Sequence, residues 1–231
     1  MAFERRFLLD LPFGACVGVS LPADGAFDLP DCLHPVEAAF ARARPEARRP
    51  GWVGGRVALR AALAAVAVEA PEPMLSTPRG APILPPGAVG SVSHTRTIAV
   101  ALCARESDPR VTVGIDVEDL RPLRTDIAPR VLTPDELAVI PASGPARDAA
   151  VLLRFSAKEA IYKALDPWVN RFVGFDEAIV ARAEGGALTA RLALTRGEGP
   201  FSVELHDARL PGEAGLVLIA ARVRAADVAR G

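Results

Sequence analysis

The clearest strand pattern in this 231-residue chain reads Val111-Thr112-Val113-Gly114-Ile115-Asp116-Val117-Glu118. Every second residue is valine or isoleucine, so a strand formed here would turn one apolar face toward a core. The opposite face would carry Gly114, Asp116 and Glu118, and carboxylates two residues apart on a strand lie roughly 7 Å from each other. Such carboxylates repel unless a cation lies between them. The segment is therefore either a half-buried strand whose acids face solvent or part of a site for a hard cation such as Mg²⁺.

A second segment holds the only two lysines of the chain, Phe155-Ser156-Ala157-Lys158-Glu159-Ala160-Ile161-Tyr162-Lys163, whereas the rest of its 27 Lys and Arg residues are arginines. Lysine supplies a compact, mobile charge and arginine a rigid planar fork, so the chemistry here favours the former. On a helix, Glu159 and Lys163 share one face. Two plainer interpretations remain open, a surface Glu–Lys pair and a capping box from Ser156 to Glu159.

The composition is that of an ordinary soluble globular protein, with half of the residues hydrophobic and a net charge of −1. The near-neutral charge argues against a nucleic-acid binder, although a local basic cluster could hold one phosphate ligand. Cys16, Cys32 and Cys103 form no C-x-x-C pair, so we expect free, buried thiols in a reducing compartment, with the cytoplasm as the location. No apolar run reaches membrane-spanning length, and no signal-peptide core is expected.

The remaining pattern predicts two similar α+β subdomains, residues 1–110 and 111–231. The expected elements are a helix over Val53–Val68, a hairpin of Val89–Ser93 with Ile98–Cys103, a helix capped by Thr133, and a helix from about Arg147 to Leu165. The last of these should end before Pro167, because proline disrupts a helix interior.

A cluster of arginines precedes and enters the first predicted helix: Arg42, Arg44, Arg48, Arg49, Arg56 and Arg60. Such a run is typical of a solvated helix face. It also suits a phosphate clamp, since the guanidinium group binds phosphate through two parallel hydrogen bonds.

A stiff loop rich in proline and glycine leads from Gly80 to Ser93 and His94 at a strand end. Serine and histidine in that position can bind phosphate oxygens. A serine hydrolase is disfavoured, because the chain has no G-x-S-x-G turn, and neighbouring Ser and His residues do not form a nucleophile–base pair.

Four of these segments, in this order, resemble the 4'-phosphopantetheinyl transferases of the surfactin and enterobactin-synthetase type. They are Gly55–Arg60, Gly80–His94, Gly114–Glu118 and Lys158–Lys163, spread over about residues 48–177. The sequences of Phe155–Glu159 and Gly90–His94 are most similar to the enterobactin-synthetase component D branch.

The resemblance implies a pseudo-dimer of two similar α+β subdomains with the active site in the cleft between them. It also implies an enzyme, a holo-acyl-carrier-protein synthase, which transfers the phosphopantetheine group of coenzyme A to a serine of an apo acyl or peptidyl carrier protein. Adenosine 3',5'-bisphosphate is released, and the pathway served would be siderophore, nonribosomal peptide or polyketide biosynthesis. A monomer is expected, with carrier contacts around Asp126–Ile140.

By the same resemblance, Asp116, Glu118 and Glu159 would hold Mg²⁺, or alternatively Mn²⁺, against the pyrophosphate. Lys163, Ser93 and His94 would contact the pyrophosphate oxygens. Glu159 is also the candidate general base for the serine hydroxyl.

The 3'-phosphate of coenzyme A would be clamped by Arg56, with Arg48 and Arg60. The loop position that is commonly basic is Ala81 here, so Arg79 is expected to substitute for it. An acid common shortly before Gly-Arg is replaced by Gly51.

Some assignments stay open at this level. Glu136 is either a helix N-terminal acid or a site residue, and Lys158 receives no role. The competing function is a non-catalytic module that binds coenzyme A or a carrier protein with a relict site. A metal-dependent phosphohydrolase is less favoured, since the chain offers no cluster of histidines to activate water.

Overall fold

The computed structural model describes residues 3–23, 27–208, 210, 212–213 and 215–226. The chain divides into two compact units, Met1–Asp108 and Pro109–Gly231. Both units combine antiparallel sheets with one long helix, so the fold class is α+β, as the sequence predicts. Within the described part of the chain, no helix combines the length and the apolar character needed to cross a membrane.

The first unit is a four-stranded antiparallel sheet with a helix packed on it. Its elements are β1 (Arg5–Leu11), β2 (Gly14–Ser20), α1 (Pro35–Ala43), α2 (Arg49–Ala65), β3 (Ala88–His94) and β4 (Ile98–Arg105), and the strand order is β1-β2-β4-β3. The apolar face of α2 packs on the buried side chains of β2 and β4 to form the core. A side chain at Gly54 would place its Cβ 2.3 Å from Leu21 and 3.0 Å from Ala99, so this glycine allows α2 to approach the sheet closely.

The second unit packs its long helix on a three-stranded sheet. Its elements are β5 (Val111–Asp119), α3 (Ala128–Val131), α4 (Pro134–Ala138), α5 (Pro145–Val169), β6 (Ala178–Arg182), β7 (Leu188–Leu192), β8 (Phe201–Ala208) and β9 (Leu216–Ala225). The sheet order is β5-β9-β8, and β6 and β7 form a separate hairpin. A Cβ at Gly114 would lie 1.9 Å from the carbonyl oxygen of Ala160, so β5 and α5 touch backbone to backbone there.

Most of the predicted elements are present, but α2, predicted over Val53–Val68, runs from Arg49 to Ala65, and α5 extends beyond its predicted end. The hairpin of β3 and β4, the helix α2 and the Thr133 cap, with its Glu136 capping box, are confirmed. The helix α5, however, continues through Pro167 and ends at Val169, followed by a left-handed Asn170. Tertiary contacts outweigh the proline here, because Val169 is buried and the indole nitrogen of Trp168 donates a hydrogen bond to Thr112 Oγ1 (3.1 Å).

Two further expectations are corrected by burial. Ser156 caps no helix, since it lies fully buried in the middle of α5. Of the three cysteines, Cys16 and Cys103 are free and buried, but Cys32 is free and exposed. Burial raises the pKa of Cys16 and of Cys103 to about 12, so these thiols stay protonated and unreactive. The similarity of the two units as a pseudo-dimer stays a prediction.

Candidate functional site

The acidic face of β5 lies under α5 and not in solvent. Asp116 is 3% exposed, and its Oδ1 accepts a hydrogen bond from the Lys163 ammonium group at 2.7 Å. The same ammonium donates to the carbonyl of Ile115 at 3.0 Å. For Asp116, the interpretation of a solvent-facing acid is therefore wrong. Sequence analysis paired Lys163 with Glu159 in a surface pair, but in the structure Lys163 contacts Asp116.

The strand and the helix are joined beside this contact by a second polar link. Thr112, which lies four residues before Asp116 on the same strand face, donates its Oγ1 hydroxyl to the carbonyl of Ala164 at 2.6 Å. Together with the bare backbone contact at Gly114, this link fixes the distance between β5 and α5. Asp116 and Lys163 meet because that distance is short.

Glu118 and Glu159 lie near enough to Asp116 and Lys163 for their pKa values to respond to both charges. Burial raises the pKa of Glu118 to about 7; the charge of Asp116 adds to the rise, Lys163 opposes it, and Glu159 contributes further. Burial also raises the pKa of Glu159, with Lys163 lowering it and Asp116 raising it. The pKa values of Glu118 and Glu159 therefore both respond to the charge of Asp116, and Lys163 offsets part of that effect.

These oxygens have the chemistry that Mg²⁺ prefers, but their present arrangement is centred on Lys163. Among the described residues, no three His, Cys, Asp or Glu side chains stand in a geometry that could share a metal ion. Hard carboxylate oxygens with raised pKa values are nonetheless suitable ligands, because a divalent cation would offset their mutual repulsion. The metal-ligand roles of Asp116, Glu118 and Glu159 stay predictions.

Lys158, which received no role from the sequence, is a buried structural residue. Its ammonium donates to Glu136 Oε2 (2.6 Å) and to the carbonyls of Val131 (2.8 Å) and Phe175 (2.8 Å). All three N–H groups are thus used within the protein. Burial lowers the pKa of Lys158, whereas its hydrogen bond to Glu136 raises it. This lysine ties α5 to α3, to α4 and to the segment before β6.

Glu136 is the partner acid of that lysine. Its Oε2 also accepts from the backbone N–H of Thr133 (2.8 Å), and its Oε1 accepts from the N–H of Val180 (2.7 Å). The residue is 2% exposed. Of the two roles that the sequence left open, the structure gives Glu136 that of the helix N-terminal acid, extended by the buried ion pair.

Sequence analysis missed a third ionic cluster at the C-terminal end of α5. The Arg171 guanidinium donates to Glu177 (2.7 Å) and to Glu198 (2.6 Å). These bonds hold the pKa of Glu198 down to about 2 and that of Glu177 lower still. The cluster fixes the loop that carries Phe172, whose ring lies 6.0 Å from that of Tyr162. No local sequence pattern predicts this cluster, because Arg171 and Glu198 are 27 residues apart.

In the first unit, two of the predicted phosphate-binding arginines have protein partners. Arg56 is 1% exposed, donates to Ser76 Oγ (2.6 Å) and to the carbonyl of Leu75 (3.1 Å), and stacks 4.6 Å from the Trp52 ring centroid. Its burial lowers the pKa of the guanidinium to about 10. Arg60 pairs with the fully buried Glu37 at 2.8 Å. These arginines do not form a solvated helix face, and their phosphate-binding roles stay predictions.

The other candidates of this unit lie nearer to solvent. Arg48 and Arg79 are exposed, Ser93 is half-buried on β3, and His94 is exposed at the end of that strand. The His94 Nδ1 lies 3.2 Å from the carbonyl oxygen of Thr95. The His94 ring rests against Gly51, at the first turn of α2. Its neighbour in space is therefore Gly51, the residue that the resemblance described above contrasts with an acid.

Two family models match the chain. Residues 112–219 match the model of the 4'-phosphopantetheinyl transferase superfamily, and residues 36–104 match that of the 4'-phosphopantetheinyl transferase N-terminal domain. The first match includes the β5 acids and the α5 lysines. The second includes the arginines of α2 and the end of β3.

Three related proteins show how far the similarity extends. The 4'-phosphopantetheinyl transferase Svp of Streptomyces mobaraensis is 40% identical over 71% of this chain and 69% of Svp. The 4'-phosphopantetheinyl transferase Npt of Nocardia iowensis is 35% identical over 74% of each chain. Enterobactin synthase component D of Salmonella typhi is 35% identical over 57% of this chain and 53% of its own length. The first two alignments span more than two thirds of the related proteins.

One solved structure shows a partial likeness to this chain. It is a crystal structure of a holo-(acyl-carrier-protein) synthase from Bacillus anthracis in complex with CoA (3',5'-ADP). The likeness covers 49% of this chain and 96% of that chain, with a TM-score of 0.41 and 21% sequence identity.

Proposed function

This chain belongs to the 4'-phosphopantetheinyl transferase superfamily, and we propose that it transfers the phosphopantetheine group of coenzyme A to a serine of an apo carrier protein. The observation that carries the proposal is the meeting of two family segments. The Lys-Glu helix places Lys163 2.7 Å from Asp116, on the Gly-Ile-Asp-x-Glu strand. Charge complementarity of this kind suits the handling of phosphate groups, in which positioning and charge neutralisation dominate over covalent chemistry.

The reaction joins the serine hydroxyl oxygen to the phosphorus of phosphopantetheine. The bond from that phosphorus to the bridging oxygen of the pyrophosphate breaks, and adenosine 3',5'-bisphosphate leaves. In this proposal the serine proton passes to Glu159, directly or through a water molecule. The proposed role of Lys163 is to contact the pyrophosphate oxygens and to stabilise the charge that develops on the leaving group.

We assign Asp116, Glu118 and Glu159 as the ligands of Mg²⁺. When bound, the ion would neutralise pyrophosphate charge and orient the two reactants. Asp116 Oδ1 now accepts a hydrogen bond from Lys163, so a cation held by Asp116 would compete with that contact. These assignments rest on the three carboxylates and their mutual charge effects.

The first unit would supply the contacts to the remainder of coenzyme A. Ser93 and His94 are assigned to the pyrophosphate oxygens, and Arg48, Arg56 and Arg60 to the 3'-phosphate. Arg79 is exposed, as a substitute for the basic residue missing at Ala81 would need to be. For Arg56 and Arg60 the assignment requires their present partners to share or release the guanidinium groups.

A direct test mixes the protein with coenzyme A, Mg²⁺ and an apo carrier domain and follows the carrier by mass spectrometry. We expect the carrier to gain one phosphopantetheine group, and Asp116→Ala to abolish the gain. The matched control is Glu204→Ala, which removes an exposed carboxylate of β8 paired with Arg222. It should leave transfer intact.

Two other outcomes would favour the competing functions. Binding of coenzyme A and carrier without any mass gain would support the non-catalytic module. Cleavage of coenzyme A in the absence of a carrier would support a phosphohydrolase. A known transferase acting on the same carrier domain shows that the substrate itself is competent.

The setting proposed for the enzyme is the cytoplasm, and its working form a monomer. The free thiols of the chain support a reducing compartment. Carrier contacts are assigned to the segment 126–140, where Val139 is 73% exposed. Light scattering at the concentrations used for the transfer assay tests the monomer.

A further inference from the structure

The helix α2 contains three neighbouring glycines, Gly51, Gly54 and Gly55, and each meets different surroundings. Glycine lowers helix stability relative to alanine, so glycines in a helix are expected where a side chain would collide. A Cβ at Gly54 would collide with the core residue Leu21, whereas a Cβ at Gly55 would meet Val92 at an ordinary 3.8 Å. Packing of the helix on the sheet accounts for Gly54. It does not account for Gly51.

Gly51 faces a polar ring and not the core. A Cβ at this position would lie 2.6 Å from Nε2 of His94, 2.7 Å from its Cε1 and 2.8 Å from its Cδ2. Contacts below 3.0 Å are not tolerated, so either the ring or the helix would have to move. The ring is the easier of the two to displace, because His94 is exposed at the end of β3 while Gly51 is buried in α2.

We propose that Gly51 is a positioning residue for His94. The bare backbone of the first turn of α2 forms the surface on which the imidazole rests, and together with the Thr95 carbonyl, 3.2 Å from Nδ1, it sets the orientation of the ring. The inference rests on the proposed function, in which His94 contacts a phosphate oxygen of coenzyme A. A methyl group at position 51 would turn the imidazole away from that oxygen and leave the rest of the site in place.

The test compares Gly51→Ala with Gly55→Ala, two identical changes in one helix, of which only the first meets His94. Gly51→Ala should raise KM for coenzyme A roughly tenfold, the factor expected for losing one charge-assisted hydrogen bond. Its kcat should change by less than about twofold, since lost ground-state binding acts on KM. Gly55→Ala should match the wild type in both constants.

A double-mutant cycle shows whether Gly51 acts through His94. The double variant Gly51→Ala/His94→Ala should be no worse than His94→Ala alone, because the ring that the methyl group displaces is already gone. If Gly51→Ala lowers the thermal unfolding midpoint through the collision, the double variant should restore it. Additive losses, or no restoration, would overturn the inference.

A measurement without turnover separates this inference from the proposed function. The chain has three histidines, so the imidazole NMR signals of His94 can be identified by their loss in His94→Ala. Gly51→Ala should shift these signals and Gly55→Ala should not. Unshifted signals, or a wild-type KM in Gly51→Ala, would refute the inference while the transfer activity stands. If Gly51→Ala shifts these signals but the wild-type protein shows no transfer activity, the contact is supported and the proposed function is refuted.

Discussion

Lys158 and Lys163 lie five residues apart on one helix, yet they differ in burial and in the number of their hydrogen-bond partners. The Lys158 side chain is 1% exposed and has one acid, Glu136, and two carbonyls as partners. The Lys163 side chain is 25% exposed, and the two acceptors recorded for it among the described residues are Asp116 and the Ile115 carbonyl. The first ammonium is fully committed to the protein. The second retains an N–H for a ligand.

The same contrast appears in the charges around the two lysines. Lys158 and Glu136 balance one to one in a closed, buried pair. Lys163 instead contacts Asp116 and also acts on Glu118 and Glu159, whose pKa values are raised by burial and by the charge of Asp116 and lowered by Lys163. A closed, neutral pair is suited to holding helices together, and an open, unbalanced group is suited to binding a cation and a phosphate.

The largest expected effect is on stability. Lys158→Met should lower the free energy of unfolding by roughly 3–5 kcal/mol, because it leaves the Glu136 carboxylate buried without its cation. Lys163→Met removes a partly exposed lysine but leaves the buried Asp116 carboxylate without its cation, so it should lower the free energy of unfolding less, by roughly 1–3 kcal/mol. Urea unfolding of both variants measures the difference.

A second variant removes both charges of the buried pair. Glu136→Gln/Lys158→Met should recover much of the stability lost in Lys158→Met, since no unpaired charge remains. Equal stability of Lys158→Met and Lys163→Met would show that the two lysines are not distinct in the way their contacts suggest.

The next effect is on catalysis, where we expect the loss of Lys163 to matter more than the loss of Lys158. Lys163→Met should lower kcat of the transfer reaction roughly 100- to 1000-fold, the range expected for removing one group that stabilises developing charge. Glu136→Gln/Lys158→Met keeps Lys163 and should retain most of kcat. Stopped assays with an apo carrier domain provide both values. A double variant as impaired as Lys163→Met would assign a catalytic part to Lys158.

The smallest effect concerns pH. The fold holds the proton of Glu118 more tightly than the unfolded chain does, because its pKa rises from 4.5 to about 7. Without divalent cations, the free energy of unfolding should therefore fall as the pH rises from about 4.5 to 7. Saturating Mg²⁺ should reverse the trend, because metal binding requires the ionised carboxylate.

Unfolding of the wild type and of Glu118→Gln across this pH range, with and without Mg²⁺, tests the prediction. The variant should lose most of the dependence. An identical pH dependence in both proteins would show that Glu118 is not the group responsible for it.

The sequence predicts what depends on local pattern and fails where distant segments meet. Alternation identifies β5, and the Thr133 cap identifies α4, because both signals lie within a few residues. The partners of Lys158 are 17 to 27 residues away and include two backbone carbonyls, which no side-chain pattern reveals. The end of α5 beyond Pro167 depends likewise on the contact of Trp168 with Thr112.

The candidate site shows the same division. Family segments mark Asp116, Glu118, Glu159 and Lys163, but their pairing depends on which strand face the helix covers. Spacing alone joined Lys163 to Glu159, one turn earlier on the helix. Packing joins it to Asp116, because the face of β5 that carries this acid lies under α5.

The contact at Gly114 has an evolutionary consequence. The atom that a side chain would meet there is the Ala160 carbonyl oxygen, 1.9 Å from the Cβ position. Because that atom belongs to the backbone, no smaller residue elsewhere on α5 could make room for a substitution at position 114. We therefore expect no neutral amino-acid substitution at position 114. A descendant that lost the glycine would have to move the whole helix. Such a descendant would separate Lys163 from Asp116 in the same step.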